Sequence, residues 1–179
     1  MHASRVRGTV NGVAVDRDVP NRLTLAEFLR DELGLTGTKV SCELEVCGVC
    51  TVLVDGRPVS ACTFLAVDID GADVLTVEGL ERDGELHPVQ EAFIDEFAFQ
   101  CGYCTPGFLM MSVALLARNP APSADEIKEY LDGNICRCTG YRPIVQAVLT
   151  AAERLRAGAA SGTEEAQEAQ EAREASDAG

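Results

Sequence analysis

Spacing divides the eight cysteines of this chain into two groups of four. Cys42, Cys47 and Cys50 stand as C-x4-C-x2-C, and Cys62 follows after eleven further residues. That is the spacing of a plant-type 2Fe–2S loop, where one tight turn gives three thiolates and a fourth comes from elsewhere. Zinc is the competitor, but zinc sites rarely join a long and a short gap in a single loop. Gly37 and Gly48 would let backbone N–H groups turn toward the sulfurs, a strong control on reduction potential. The second group, Cys101-x2-Cys104 with Cys136-x-Cys138, is ambiguous: two close pairs suit zinc as well as a 2Fe–2S cluster. Its placement says more. Cys104 precedes Thr105-Pro106, a helix start, and Cys138 precedes Thr139-Gly140 and a last helix. Thiolates there would meet unpaired N–H groups and the favourable end of the helix dipole. Arg137 adds a fixed positive charge between two of the ligands.

The elements that position these groups differ between the two halves. Arg5–Val10 and Val13–Val19 flank Asn11-Gly12, a hairpin signal because both turn positions need positive φ. Thr24 with Glu27 forms a capping box ahead of Leu25, Phe28, Leu29 and Leu33, and Gly34 stops that helix. Thr51–Asp55 and Arg57–Ala61 turn at Asp55-Gly56 as a second hairpin, and Val74–Val77 reads as one more strand. The second half reads as helices. They open at Pro88, Thr105-Pro106, Ser123 (capped by Glu126) and Pro143, and the polar segment 80–86 separates the halves.

Eight cysteines could also signal a disulfide scaffold, but the N-terminus has no apolar signal core. The expected location is therefore the cytoplasm. A net charge of −14 disfavours nucleic acid and anionic membrane. Residues 158–179 hold six acids against Arg173 and almost no large apolar side chain, so a disordered acidic tail is expected.

Gln100-Cys101-Gly102-Tyr103-Cys104-Thr105-Pro106-Gly107 and Gly133-Asn134-Ile135-Cys136-Arg137-Cys138-Thr139-Gly140-Tyr141 closely resemble signatures of the xanthine dehydrogenase family of molybdenum hydroxylases. Thr36-Gly37-Thr38-Lys39, Cys47-Gly48-Val49-Cys50-Thr51-Val52 and His87-Pro88-Val89-Gln90 fit the same family, from about Val6 to Leu155. The chain resembles the separate small subunit of bacterial members, including aerobic carbon monoxide dehydrogenases. The resemblance implies an α+β protein. A ferredoxin-like β-grasp domain (1–79) and linker (80–86) would precede an all-α four-helix domain (87–157). It implies 2Fe–2S ligation by Cys42, Cys47, Cys50 and Cys62, and by Cys101, Cys104, Cys136 and Cys138. The second cluster would lie by the molybdopterin of a large subunit, with Cys138 nearest and Gln100 close. The first would lie toward the FAD of a medium subunit, in a dimer of heterotrimers. Substrates in this family are carbon monoxide, aldehydes, or N-heteroaromatics and purines. Ser41 and Glu45 depart from the family, which commonly has glycine just before the first cysteine and often another inside the loop. The competing readings are a free two-cluster ferredoxin and a β-grasp interaction module stapled by zinc.

Overall fold

The computed structural model describes residues 2–177, with side chains described to Ala159. The two hairpins form where their turn residues place them. β1 (Ala3–Val10) and β2 (Val13–Pro20) pair antiparallel, with Val10 opposite Val13. Asn11 and Gly12 turn at φ 52° and 77°, the left-handed pair such a hairpin needs. β3 (Thr51–Val54) and β4 (Arg57–Ser60) turn on Asp55 and Gly56, at φ 49° and 73°. β5 (Asp73–Leu75) enters between the hairpins, parallel to β1 and antiparallel to β3, which gives the sheet order β2-β1-β5-β3-β4. This strand is shorter than its apolar run predicts. Thr76 donates its N–H to Asn11 Oδ1 at 2.8 Å and its hydroxyl to Glu78, and Val77–Leu80 leaves the ladder as a 3-10 helix.

Thr24 and Glu27 make the expected reciprocal cap on α1 (Leu25–Glu27). The helix then widens into a π turn over Phe28–Glu32, where Leu33 N–H reaches Phe28 C=O at 3.1 Å. Leu25, Phe28 and Leu29 are fully buried and pack with Val6, Val10, Val52, Val54 and Val74 in one core.

β3 is buried at all four positions because both of its faces are covered. Val52 and Val54 face the α1 core, while Leu53 joins a second core built from helices. Those helices are α2 (Pro88–Asp95), α3 (Thr105–Arg118), α4 (Ala124–Leu131) and α5 (Arg142–Asp177). α3 is central and packs on β3, β4, α2, α4 and α5. It buries Phe108, Leu109, Met110, Ala114, Leu115 and Leu116, each large side chain worth roughly 1.5–3 kcal/mol. Gly107 lets it approach the sheet, since a Cβ there would lie 2.3 Å from the Gly48 carbonyl oxygen. α5 closes the core with Ile144, Ala147, Val148, Ala151 and Ala152. Over 158–177, where the composition predicts a disordered tail, the backbone continues α5, and the side chains beyond Ala159 lie outside the described residues.

Candidate metal centres

The loop 41–50 links the α1 region to β3 and takes its shape from Glu43, Glu45 and Gly48, at φ 55°, 58° and 66°. Gly48 suits that conformation; a glutamate held there costs about 1–3 kcal/mol. Of the two positions where the family has glycine, Glu45 takes positive φ and Ser41 does not; Glu43 does so as well. The bend aims two N–H groups at one sulfur: Leu44 and Val46 donate to Cys42 Sγ at 3.4 and 3.5 Å. With Cys47 they hold the Cys42 thiol down at about 6. Glu45 Oε2 accepts from Thr63 Oγ1 at 3.2 Å, which ties the loop to the turn bearing Cys62. Gly37 does not serve a sulfur as expected. Its N–H donates to Glu78 Oε1 at 2.7 Å, a charged and stronger acceptor. Lys39 Nζ and Arg30 Nη1 grip the Thr36 carbonyl at 2.7 and 2.9 Å.

The thiols of this group meet in twos. Cys42 faces Cys47 at the partly exposed side, and Cys50 faces Cys62 in the sheet core. Burial, above all, pushes the Cys50 thiol up to about 12.

The second group repeats the pairing on different supports. Cys104, just before α3, meets Cys136; Cys101 meets Cys138, with Sγ atoms 3.7 Å apart. Burial raises Cys104 to about 12. Burial also works to raise Cys136, but Thr139 Oγ1 at 3.2 Å, Thr139 N–H at 3.4 Å and Cys138 N–H at 3.5 Å outweigh it and leave that thiol lowered. The N–H groups expected around Cys138 thus serve Cys136, because α5 begins only at Arg142 and the turn before it wraps the inner thiol. The hydroxyl of Tyr141 accepts from Cys136 N–H at 3.1 Å, and its ring stands edge-on to Phe108 at 6.3 Å. Gln100, Cys101 and Cys138 are all exposed, beside Phe97 (79 % exposed), Phe99 and Tyr103.

Three hydrogen bonds join the halves at these loops. Ile135 N–H donates to Cys47 C=O and Asn134 Nδ2 to Gly48 C=O, both at 3.0 Å; Tyr103 OH donates to Val40 C=O at 2.6 Å. Sequence reading gave no sign of them, nor of a role for Tyr141.

Among the described residues no three His, Cys, Asp or Glu side chains converge on one point; the thiols come together in pairs. A 2Fe–2S cluster takes two thiolates on each iron. Four thiol pairs, the donors gathered on Cys42 and Cys136, and the partnerless buried hydroxyl of Thr105 beside Cys104 fit two such clusters. Fold and site therefore define a two-centre iron–sulfur protein. Residues 8–75 match the 2Fe-2S iron-sulfur cluster binding domain, and residues 76–149 match the separate 2Fe-2S binding domain family. The chain is 50 % identical over 152 residues to the 6-hydroxypseudooxynicotine dehydrogenase complex subunit beta of Paenarthrobacter nicotinovorans, covering 84 % of this chain and 95 % of that one. It is 52 % identical over 146 residues to the nicotine 6-hydroxylase small subunit of the same organism, covering 82 % and 86 %. Its structure matches quinoline 2-oxidoreductase from Pseudomonas putida 86 with a TM-score of 0.83 at 46 % identity, over 87 % of this chain and 98 % of that one. The chain belongs to the small iron–sulfur subunits of the xanthine dehydrogenase family of molybdenum hydroxylases. Its work is electron transfer within an oxidoreductase, and this sets aside the free carrier and the zinc module. No helix among the described residues is long and apolar enough to cross a membrane.

Proposed function

We propose that Cys42, Cys47, Cys50 and Cys62 hold one 2Fe–2S cluster and Cys101, Cys104, Cys136 and Cys138 the other. Each cluster, when bound, supplies one-electron redox chemistry; the chain holds, spaces and tunes the two. The ferredoxin-like β-grasp domain is then 1–79 and the four-helix domain 87–157, with 80–86 between them. The observation that carries this reading is the pairing of all eight thiols in two groups, whose loops touch at Cys47 and Ile135.

The partners are a large subunit carrying molybdopterin and a medium subunit carrying FAD, as a dimer of heterotrimers in the cytoplasm. Gln100, Cys101 and Cys138 lie exposed at one end, the side suited to a buried pterin, with Cys138 nearest to it. Leu44 and Val46, 73 % and 61 % exposed on the first loop, suit the flavin subunit. Substrate electrons then pass from the molybdenum side through the Cys101 end, the Cys42 loop and on to FAD. Nicotine and quinoline, named in relatives, favour a nitrogen heterocycle as the large subunit's substrate. The test is a Cys47→Ser variant of the assembled complex. Substrate should still reduce the second centre rapidly while flavin reduction collapses; flavin reduction at the normal rate would overturn the order.

A further inference from the structure

Asn134 lies in the second ligand loop, two residues before Cys136, yet its side chain serves the first. It is 3 % exposed, and its Nδ2 donates to the Gly48 carbonyl at 3.0 Å. The same carbonyl accepts from Thr51 Oγ1 at 2.7 Å within its own loop, so Asn134 is its donor from the helical half. The next residue, Ile135, donates its N–H to the Cys47 carbonyl at 3.0 Å. Two consecutive carbonyls, at Cys47 and Gly48, are thereby fixed by two consecutive residues of the other half. Gly48 sits at φ +66°, and a Cβ there would lie 2.6 Å from Asn134 Cγ, so backbone and amide are in close contact. The peptides held in this way run from Cys47 toward Cys50, and their orientation sets where those two thiols point.

We infer that Asn134 is a positioning residue for the first centre: its amide fixes the Cys47–Gly48 turn, so the state of the Cys42 cluster depends on a side chain beside Cys136. The bland alternative is that Asn134 only ends α4, where its own N–H donates to Leu131 C=O at 2.9 Å. That role would be felt at the second centre alone.

The inference rests on the ligand assignment above, and the experiment separates the two. The complete complex carries Asn134→Asp, which keeps the shape but loses the donor, or Asn134→Ala, which loses both. Iron and sulfide are counted, and the EPR spectrum of each reduced centre is recorded. Wild-type complex lacking the iron for two clusters would sink the assignment itself. With full loading, a shift of the first centre's g-values in both variants supports the inference. An unchanged first centre, a shift confined to the second, or a shift in Asn134→Ala but not in Asn134→Asp overturns it. Should neither variant assemble, Gly107→Ala presses on the same Gly48 carbonyl from α3 without touching Asn134 or a cysteine. It should shift the first centre's g-values, and a fully loaded Gly107→Ala complex with that spectrum unchanged overturns the inference.

Discussion

The two centres are built by opposite routes. In the first, a single strained loop carries three thiols, and its N–H groups gather on Cys42 at the partly exposed side. The inner pair, Cys50 and Cys62, lies in the sheet core. In the second, two loops at helix ends share the thiols, and the donors gather on the inner thiol, Cys136, leaving Cys101 and Cys138 at the surface. Hydrogen bonds that stabilise negative charge are thus placed outward in one centre and inward in the other. The peptides that meet between them, at Cys47 and Ile135, belong to loops bearing one well-donated thiol each. One sheet and one bundle can therefore share an electron route without sharing a design.

The comparison breaks most simply at the ligands. Cys47→Ser should remove only the first cluster and Cys104→Ser only the second, each leaving about two of about four irons per chain. Iron and sulfide analysis with EPR checks this, and loss of both clusters from either change would show that the centres are not independent. A smaller effect tests the inward donors. Thr139→Val deletes the hydroxyl at Cys136 Sγ, and a bond worth about 1 kcal/mol should lower the second centre's potential by roughly 40 mV. Redox titration should find the first centre unmoved.

The outward loop responds to charge. Glu43 and Glu45 are exposed, and a unit charge about 10 Å away in water contributes roughly 0.4 kcal/mol. Replacing both with glutamine should raise the first potential by a few tens of millivolts, less at high salt, with the second unchanged. A fall in potential would instead point to the weakened bond from Thr63 to residue 45, which loses its charged acceptor, as the dominant effect. The smallest effect belongs to the helical half. His87 Nδ1 accepts from Val89 N–H at 3.2 Å at the start of α2, and burial, aided by Arg82, holds the imidazole below its usual value. The stability it contributes is complete above the unfolded value near 6.5 and is lost as pH falls through the lowered folded one. His87→Asn, which keeps a cap, should flatten that dependence in thermal melts recorded from neutral to acidic pH.

Much of this was legible where the signal is local. Asn11-Gly12 and Asp55-Gly56 fixed both hairpins, and Thr24/Glu27 and Ser123/Glu126 marked two helix starts through their own side chains. Cysteine spacing separated the two groups, but it could not say that Cys42 faces Cys47 or that Cys101 faces Cys138. That pairing depends on how the loops bend, and in the first group the bend rests on Glu43 and Glu45, residues whose propensities argue against positive φ. Gly37 misled because glycine permits many partners, and the one it found is Glu78, 41 residues away. The Asn134–Gly48 bond spans 86 residues, and no local pattern encodes it.

β5 carries a consequence for synthesis. It is the strand that joins the two hairpins, pairing Thr9 with Asp73 and Val54 with Val74. A ribosome adding roughly 5–20 residues per second needs about 1–4 s between Val54 and Val74, and about three times as long between Thr9 and Asp73. Over the last dozen residues of that interval the segment from Cys42 to Cys62 is complete while the sheet that will bury Cys50 and Cys62 is still open. The Cys50 and Cys62 thiols are therefore open to solvent for longest before residues 73–75 take their place, and Val74 completes the core that covers them.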